Sequence, residues 1–331
     1  MEFKIFERRE CPICQDRKGK VLFSTYDDRY GQPDLYSVME CQECRTCYLL
    51  EAIAPNDLPN LYEKYYGGNL ALNAVTEKVM TQHFYTNPAV RVFTNRLRRS
   101  IIGVVYQSWF RFWSGDKVLD WTFRQNEQVL DVGCGGGHLA EPILACGAKW
   151  TGLDIDPRNC QAVTERGLKC ICGTIDAVDL PAGSYDSIIG SQVIEHISDP
   201  RKFLMRCAQL IRPGGRVLLS TPNIESRYRR ISGQNWIHWF VPYHQVLFSP
   251  HSLEMLGKQC NLRMLSYRTE TPTAWALLQL NYQRPPRGEI GTWRSKGRPR
   301  WLQPDGLSLR LRLEDTLYGD GDVLIAELVK A

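Results

Sequence analysis

The chain has 331 residues, of which 43% are hydrophobic and 23% charged, a composition typical of a globular protein. Its 41 basic residues exceed the 36 acidic ones only slightly, and a net charge of +5 does not indicate strong nucleic-acid binding. Its 12 cysteines, without an apolar leader segment, favour reduced or metal-bound thiols over a disulfide framework. The charged N-terminus and the lack of a long apolar stretch predict a cytoplasmic protein.

Four N-terminal cysteines form two CxxC pairs: Cys11, Cys14, Cys41 and Cys44. Between the pairs, 20–24 and 35–39 have the pattern of two hairpin strands. Paired CxxC turns place four thiolates around Zn²⁺, and such a site is structural because no position is left open for a substrate. We therefore predict a zinc ribbon over residues 1–60. Two alternatives remain open: Cys47 replaces Cys44 as a ligand, or the cysteines are only buried side chains.

Residues 61–124 are predicted to form a helical linker or cap. It begins with an aromatic segment in which Tyr65 and Tyr66 either cover the active site as a lid or pack the ribbon on the main domain. Residues 91–113 are first basic and then aromatic. This pattern fits a helix lying on a membrane surface, which would give peripheral membrane contact, or a helix that covers the main sheet.

Strand and helix patterns alternate from about residue 125, which predicts a parallel α/β sheet. A helix should begin at Asp199-Pro200 and end at Pro213–Gly215, and another should begin at Ser249-Pro250. The predicted strands are 128–132, 149–155, 169–173, 185–190, 215–220, 262–269 and 322–329.

The first strand of this domain runs into a glycine-rich turn, Val129–Gly137, and a helix pattern follows. Strand, turn and helix together bring backbone N–H groups up to a ligand. A dinucleotide fingerprint would need a glycine at position 138, which is histidine, and a triphosphate loop would need a lysine that is missing. Asp154 ends the second strand, where a carboxylate suits the ribose hydroxyls of an adenosine group.

Five segments in this order are jointly specific: 129–137, 152–157, 179–186, 193–197 and 210–223. With them the chain resembles the class I S-adenosylmethionine-dependent methyltransferases, in particular the ubiquinone O-methyltransferase branch. The ribbon followed by Leu61-Tyr-Glu-Lys-Tyr-Tyr66 also resembles the zinc-bearing sugar C-methyltransferases. The resemblance implies a Rossmann-like, seven-stranded methyltransferase sheet with its last strand antiparallel. This domain would cover residues 125–331, with an insertion at about 272–318.

The resemblance also implies S-adenosylmethionine as cofactor. The glycine turn would then lie along the methionine part, with Asp131 fixing the turn, while Asp154 would accept the ribose hydroxyls and Ile155 would pack on the adenine. Residues after the third and fourth strands would complete the site. The candidate cofactor-binding residues are Asp131, Gly133, Cys134, Gly135, Gly137, Asp154, Ile155, Ile175, Asp176, Ser191 and Gln192.

Methyl transfer to an oxygen usually requires a base. His196 follows the fourth strand, at the end of the sheet where such sites form, and Glu195 would orient it or the substrate. Alternatively, both residues only begin the next loop. Relatives with Glu-x-x-Glu-His bind Mg²⁺ here, but Gln192 at the first position is a weaker ligand and argues against a catalytic metal. His244 is either a substrate contact or a structural residue.

Two stretches are both basic and aromatic, 227–240 and 284–301. Guanidinium and indole groups suit a nucleotide-linked or lipid-linked glycan, but also membrane headgroups or RNA, and such loops also occur without a ligand. The leading hypothesis is methyl transfer to a small-molecule or glycan hydroxyl. The alternatives are a zinc-ribbon RNA methyltransferase, which lacks the expected Asn/Asp-Pro-Pro-aromatic motif, and a non-catalytic assembly module. Nothing in the sequence indicates an oligomeric state.

Overall fold

The computed structural model describes residues 3–66, 119, 121–291, 314–315 and 317–330. The predicted basic and aromatic helix at 91–113 lies outside these residues, as does the central part of the predicted insertion, 292–313. Within the described chain, two antiparallel sheets are formed largely by N-terminal residues, and one large mixed sheet is formed by the C-terminal part.

The large sheet has seven strands in the order β12-β13-β10-β9-β6-β7-β8. Neighbouring strands are parallel except that β13 runs antiparallel to β10 and β12, as predicted. The order reverses between β6 and β9, which opens a crevice at the carboxyl ends of these two strands. The strands are β6 (Gln128–Val132), β7 (Lys149–Asp154), β8 (Cys170–Cys172), β9 (Tyr185–Ser191), β10 (Ile211–Pro222), β12 (Leu262–Glu270) and β13 (Val323–Lys330).

The helices of the described chain are short, and none is long and apolar enough to cross a membrane. Two predicted starts are confirmed, since Asp199 Oδ1 accepts from Lys202 N at 3.0 Å and Ser249 forms a capping box with Ser252. The helices are α1 (Leu58–Leu61), α2 (Ala140–Leu144), α3 (Pro157–Glu165), α4 (Pro200–Leu210), α5 (Arg227–Ser232), α6 (Pro250–Gln259) and α7 (Thr273–Asn281).

The predicted end of α4 was wrong. The helix ends at Leu210, and Ile211 already pairs with Tyr185 in the large sheet. The Pro-Gly-Gly segment is therefore an irregularity within β10, between Ile211 and Arg216, rather than the end of a helix. Because Ile211 is buried against β9, the strand begins before the glycines.

The N-terminal part forms the predicted hairpin, β2 (Gly19–Tyr26) and β3 (Leu35–Cys41), extended by β4 (Cys47–Leu49). A fourth strand was missed: β11 (Val246–Leu247) comes from the C-terminal part and pairs antiparallel with β4. A separate pair is formed by β1 (Ile5–Glu7) and β5 (Glu51–Ile53).

Gln245 precedes β11, is fully buried, and connects the two parts of the molecule. Its backbone N–H donates to the Glu195 carbonyl at 2.7 Å, and its own carbonyl accepts from Leu49 N at 3.2 Å. Its side-chain Oε1 accepts from Ile53 N at 3.2 Å. The main chain beside Glu195 is therefore held by the N-terminal sheet.

Asp322, just before β13, is fully buried and organises the segment between β10 and β11. Its Oδ1 accepts from Trp236 Nε1 at 2.8 Å and from the Ser226 hydroxyl. Its Oδ2 lies 3.1 Å from His238 Nε2. One carboxylate thus satisfies three buried donors, and loss of such a group leaves donors without partners.

We expect Asp322→Ala to lower the free energy of unfolding by about 3 kcal/mol or more, because three buried donors lose their acceptor. Urea denaturation followed by circular dichroism measures this. Asp179→Ala, which removes an exposed carboxylate, should change the free energy of unfolding by no more than about 0.5 kcal/mol. Equal effects of the two substitutions would contradict the role given to Asp322.

Candidate functional site

The glycine loop, Gly133–Gly137, follows β6 at the crevice between β6 and β9. Gly133, Gly135 and Gly137 have φ values of 65°, 51° and 73°, a region that favours glycine. A Cβ added at Gly133 would lie 2.5 Å from Val193, but one added at Gly135 would meet nothing within 4 Å. The loop therefore has an open space beside Gly135 that a side chain would fill and a ligand can use.

Asp154, at the end of β7, lies beside this loop and is largely buried. Its Oδ2 accepts from Gly135 N at 2.8 Å, and its Oδ1 accepts from Asp156 N at 2.9 Å and from Asn159 Nδ2 at 3.2 Å. The carboxylate is thus held firmly at the carboxyl end of the sheet. The structure brings Asp154 and the glycine loop together as the sequence predicted.

Asp131 lies near the end of β6 and Cys134 lies within the loop, and both side chains contact other protein side chains. Asp131 is 2% exposed, and its Oδ2 accepts from Trp150 Nε1 at 3.1 Å. Burial raises the pKa of Asp131 to about 7. The sulfur of Cys134 lies 3.8 Å from that of Cys170. The Asp131 carboxyl group is thus bonded to the Trp150 side chain of β7, and its role of fixing the turn stays a prediction.

Three further predicted residues follow β7 and β8. Ile155 is 39% exposed, an uncommon setting for an isoleucine that follows a buried strand. Ile175 is buried, and the Asp176 carboxylate forms an ion pair with Lys202 at 3.3 Å. The exposed Ile155 offers an apolar surface next to Asp154.

Ser191 and Gln192 lie at the carboxyl end of β9. The Ser191 and Ser220 hydroxyls are 2.9 Å apart, and Gln192 Nε2 donates to the Ser220 hydroxyl at 3.2 Å. Gln192 also has a φ of 56°, which is uncommon for a residue with a side chain. This conformation turns the chain out of β9 and leads into the turn that carries Glu195 and His196.

Glu195 belongs to a single 3-10 turn, Ile194–His196, and its side chain is fully buried. Neither carboxylate oxygen makes a hydrogen bond to any residue that the structure describes. Burial raises the pKa of Glu195 to about 8, although its own backbone N–H and the nearby Thr221 hydroxyl act in the opposite direction. Such a carboxyl group is costly to bury without a partner.

His196 is half-buried beside Glu195. Its Nδ1 lies 3.0 Å from the Tyr243 carbonyl oxygen and 2.8 Å from the Tyr62 hydroxyl. Because a carbonyl only accepts, Nδ1 carries the proton in the neutral ring, and Nε2 keeps a lone pair. Burial lowers the pKa of His196 to about 4, so the imidazole is neutral at pH 7.

His244 is buried next to His196, with ring centroids 4.7 Å apart. Its Nδ1 lies 2.7 Å from the His238 carbonyl oxygen, so the same tautomer argument applies. Burial, and then the neighbouring His196, lower the pKa of His244 well below its ordinary value. One potential ligand atom of each of Glu195, His196 and His244 lies within 4.8 Å of the others. We refer to these three residues as the Glu-His-His cluster.

Aromatic side chains surround this cluster, and the sequence did not single them out as a group. Tyr62 packs edge-on against Tyr243, and Phe240 stacks on Tyr243 with centroids 4.6 Å apart. The Arg29 guanidinium lies 3.7 Å from the centre of the Phe240 ring. Tyr65, considered as a lid, packs against Phe3, and the side chain of Tyr66 lies outside the described residues. No local pattern could have placed Arg29 and Tyr62 beside His196.

A second cluster lies in the N-terminal part, where Cys11, Cys14, Cys41 and Cys44 have their sulfur atoms within 4.8 Å of one another. The two CxxC turns have matching geometry, since Gln15 N donates to the Cys11 carbonyl and Arg45 N to the Cys41 carbonyl. Both Gln15 and Arg45 have a φ of 63°. Cys47 is outside this cluster, and its sulfur accepts from Arg229 Nη2 at 3.7 Å.

Comparison with known proteins agrees with this geometry. Ubiquinone biosynthesis O-methyltransferase of Cereibacter sphaeroides is 36% identical over 126 residues, which are 36% of this chain and 51% of the relative. The protein of the same name from Erwinia tasmaniensis is 36% identical over 138 residues, or 38% of this chain and 57% of the relative. The chain thus spans about half the length of the curated relatives it matches.

A solved S-adenosylmethionine-dependent methyltransferase from Thermotoga maritima covers 73% of this chain and 97% of its own, with 18% identity and a TM-score of 0.44. This similarity is too remote to inform the function. The model of the family described as "Methyltransferase domain" matches residues 109–267, which include the glycine loop, Asp154 and the Glu195-His196 turn. This match covers slightly less than half of the chain, and it makes residues 109–267 similar to the methyltransferase domain family.

Proposed function

We propose that the protein transfers a methyl group from S-adenosylmethionine to a hydroxyl group of a small-molecule or glycan acceptor. The observation that carries this proposal is the open space beside Gly135, directly next to the Asp154 carboxylate. When bound, S-adenosylmethionine supplies an electrophilic methyl group. The site lies at the carboxyl ends of β6, β7 and β9, where ligands bind in open α/β sheets. In this proposal the ribbon covers residues 1–60, and the catalytic domain covers 125–331.

The described residues fit this cofactor. The Asp154 carboxylate accepts hydrogen bonds at the end of β7, which suits ribose hydroxyls, and the exposed Ile155 offers a surface for the adenine. Lysine and arginine do not occur in the glycine loop itself, which suits a cationic sulfonium better than a phosphate. Ser191 and Gln192 follow β9 and would border the methionine part.

The proton of the acceptor hydroxyl must be removed as the new bond forms. We assign this step to the Glu-His-His cluster, with His196 as the candidate base. Its imidazole is neutral at pH 7 and has an Nε2 lone pair, because Nδ1 donates to the Tyr243 carbonyl. Glu195, beside the His196 ring, would orient the imidazole or the substrate.

The aromatic residues around His196 support a particular type of acceptor. Three aromatic side chains from both parts of the chain pack around His196, namely Tyr62, Phe240 and Tyr243. Aromatic faces with the neighbouring Arg29 suit a planar or sugar-containing acceptor that carries negative charge. The names of these relatives refer to O-methylation in ubiquinone biosynthesis, which supports an oxygen as the methylated atom.

We expect Gly135→Ala to weaken S-adenosylmethionine binding by at least about tenfold, or about 1.4 kcal/mol, because the Cβ fills the open space. Gly183→Ala is a matched control, since Gly183 has a φ of 61° and an equally open Cβ position but precedes β9 at the opposite end of the sheet. Isothermal titration calorimetry measures both affinities. Equal binding by the two variants would refute the proposed position of the cofactor.

His196→Gln should lower kcat by about 100- to 10,000-fold while S-adenosylmethionine still binds, because proton removal is lost and the glycine loop is not touched. His251→Gln, which changes an exposed histidine in α6, is the control and should leave kcat unchanged. The assay follows transfer of a labelled methyl group to a hydroxyl-containing acceptor identified in cell extract. A His196→Gln variant with normal turnover would remove the base role.

We also propose that the four clustered cysteines bind a structural zinc ion. The CxxC turns, the short sulfur–sulfur distances and the four-thiolate composition support this assignment. In this site zinc would stabilise a sheet that has little apolar core of its own.

Cys44→Ser should lose this zinc and destabilise the N-terminal sheet, because one of four thiolate ligands is removed. Cys47→Ser removes an equally buried thiol outside the cluster and should retain the metal. Elemental analysis of the purified variants gives the zinc content. Zinc lost from Cys47→Ser but not from Cys44→Ser would show that the ligand set is wrong.

A further inference from the structure

The Glu-His-His cluster has the composition and arrangement of a metal site. We propose that Glu195, His196 and His244 bind one divalent transition-metal ion, in addition to the zinc assigned to the cysteines. Each residue offers one ligand atom, and these atoms lie within 4.8 Å of one another. The binding itself is independent of the function proposed above, whereas the role of the ion rests on that function.

The first argument is the Glu195 carboxylate. It is fully buried, and neither oxygen has a hydrogen-bond partner among the described residues. Buried carboxylates are normally paired, hydrogen-bonded or bound to a metal, because desolvation without compensation costs several kcal/mol. Gln245 N holds the Glu195 main chain, and one carboxylate oxygen of Glu195 lies within 4.8 Å of a ring nitrogen of each histidine. A cation between these groups would satisfy the carboxylate.

The second argument is the orientation of the two imidazoles. His196 Nδ1 donates to the Tyr243 carbonyl, and His244 Nδ1 donates to the His238 carbonyl. Histidine ligands of metals commonly donate their second N–H to a backbone carbonyl, which fixes the tautomer and leaves the other nitrogen for the ion. Both rings of the cluster have this arrangement, and burial keeps both of them neutral at pH 7.

The donor set indicates which metals are suited. Two imidazoles and one carboxylate favour zinc, iron, cobalt or nickel, whereas Mg²⁺ and Ca²⁺ prefer oxygen ligands alone. Gln192, at the position where relatives with Glu-x-x-Glu-His have a further glutamate, donates instead to the Ser220 hydroxyl. His244 is the third potential ligand of the cluster. The sequence argument against a hard cation therefore holds, but it does not extend to a transition metal.

The positive charge near the cluster also favours a transition metal over Mg²⁺. The Arg29 guanidinium is near enough to lower the pKa of His196 and His244, and its charge opposes any cation in the cluster. Long-range electrostatic attraction therefore cannot supply the affinity of the cluster for a metal ion. It must come from direct bonds to imidazole nitrogen, and transition metals form these strongly whereas Mg²⁺ does not.

Three protein ligands leave coordination positions open, as in catalytic rather than structural sites. An ion at this place would lower the pKa of an acceptor hydroxyl, whose proton would then leave to solvent. The ion would take over the role assigned to His196 in the metal-free cluster, since the Nε2 lone pair of His196 would be bound to it.

The test is the metal content of the full-length protein. After dialysis against buffered Zn²⁺ and removal of free ions, wild type should contain about two zinc ions per chain, and Glu195→Gln and His244→Asn about one each. His251→Asn, in which an exposed histidine is changed, should retain both ions. Circular dichroism of each variant shows that the domain is folded, and calorimetry on wild type measures the binding of S-adenosylmethionine.

One zinc ion in the wild type, or two in both Glu195→Gln and His244→Asn, would overturn the metal site. If wild type then still binds S-adenosylmethionine, the proposed function stands with His196 as the base. If the metal counts agree with the proposal but S-adenosylmethionine does not bind to wild type, the proposed function fails and the metal site stands. The two proposals therefore fail by different measurements.

Discussion

The hydrogen bonds of Gln245 are the constraint on which the candidate site depends. Its main chain holds Glu195 on one side and Leu49 on the other, and its side chain accepts from Ile53 N. The next residues, Val246 and Leu247, form the β11 strand of the N-terminal sheet. His244 directly precedes Gln245, so the position of one member of the Glu-His-His cluster follows from this pairing. The N-terminal sheet and the part of the chain that forms the large sheet thus build the candidate site together.

The two proposed metal ions would have different effects on this arrangement. Zinc at the four cysteines would stabilise β3 and β4, to which β11 is paired, and would thereby act on His244 through the main chain. An ion at the Glu-His-His cluster would act directly on the acceptor. Tyr62 and Arg29 also come from the N-terminal part and lie beside His196 or His244. In the proposed function, selectivity for the acceptor would therefore depend on N-terminal residues, whereas the cofactor-binding residues predicted from sequence all lie in the C-terminal part.

Short-range patterns predicted much of this fold. The caps at Asp199 and Ser249 and the proximity of Gly135 to Asp154 follow from local motifs and from the rules of parallel sheets. The seven-stranded sheet with its antiparallel last strand was implied by the resemblance to a family of known fold. The CxxC pairs likewise lie together because each pair forms its own turn. The end of α4 was wrong because burial of Ile211 against β9 outweighed the local glycine signal. The Tyr62–His196 contact and β11 could not be predicted, since both join residues far apart in the sequence without a local signature.

The pairing of β11 with β4 also has a consequence for the order in which the chain folds. Tyr48 emerges early during synthesis, but its partner Val246 follows only after most of the large sheet has been made. Until then the outer edge of β4 has unpaired backbone groups, and such an edge is open to pairing with other chains. Contacts between distant residues also form slowly, because a long loop must close first. The nascent N-terminal sheet is therefore the part of the molecule that most needs protection from aggregation until its last strand arrives.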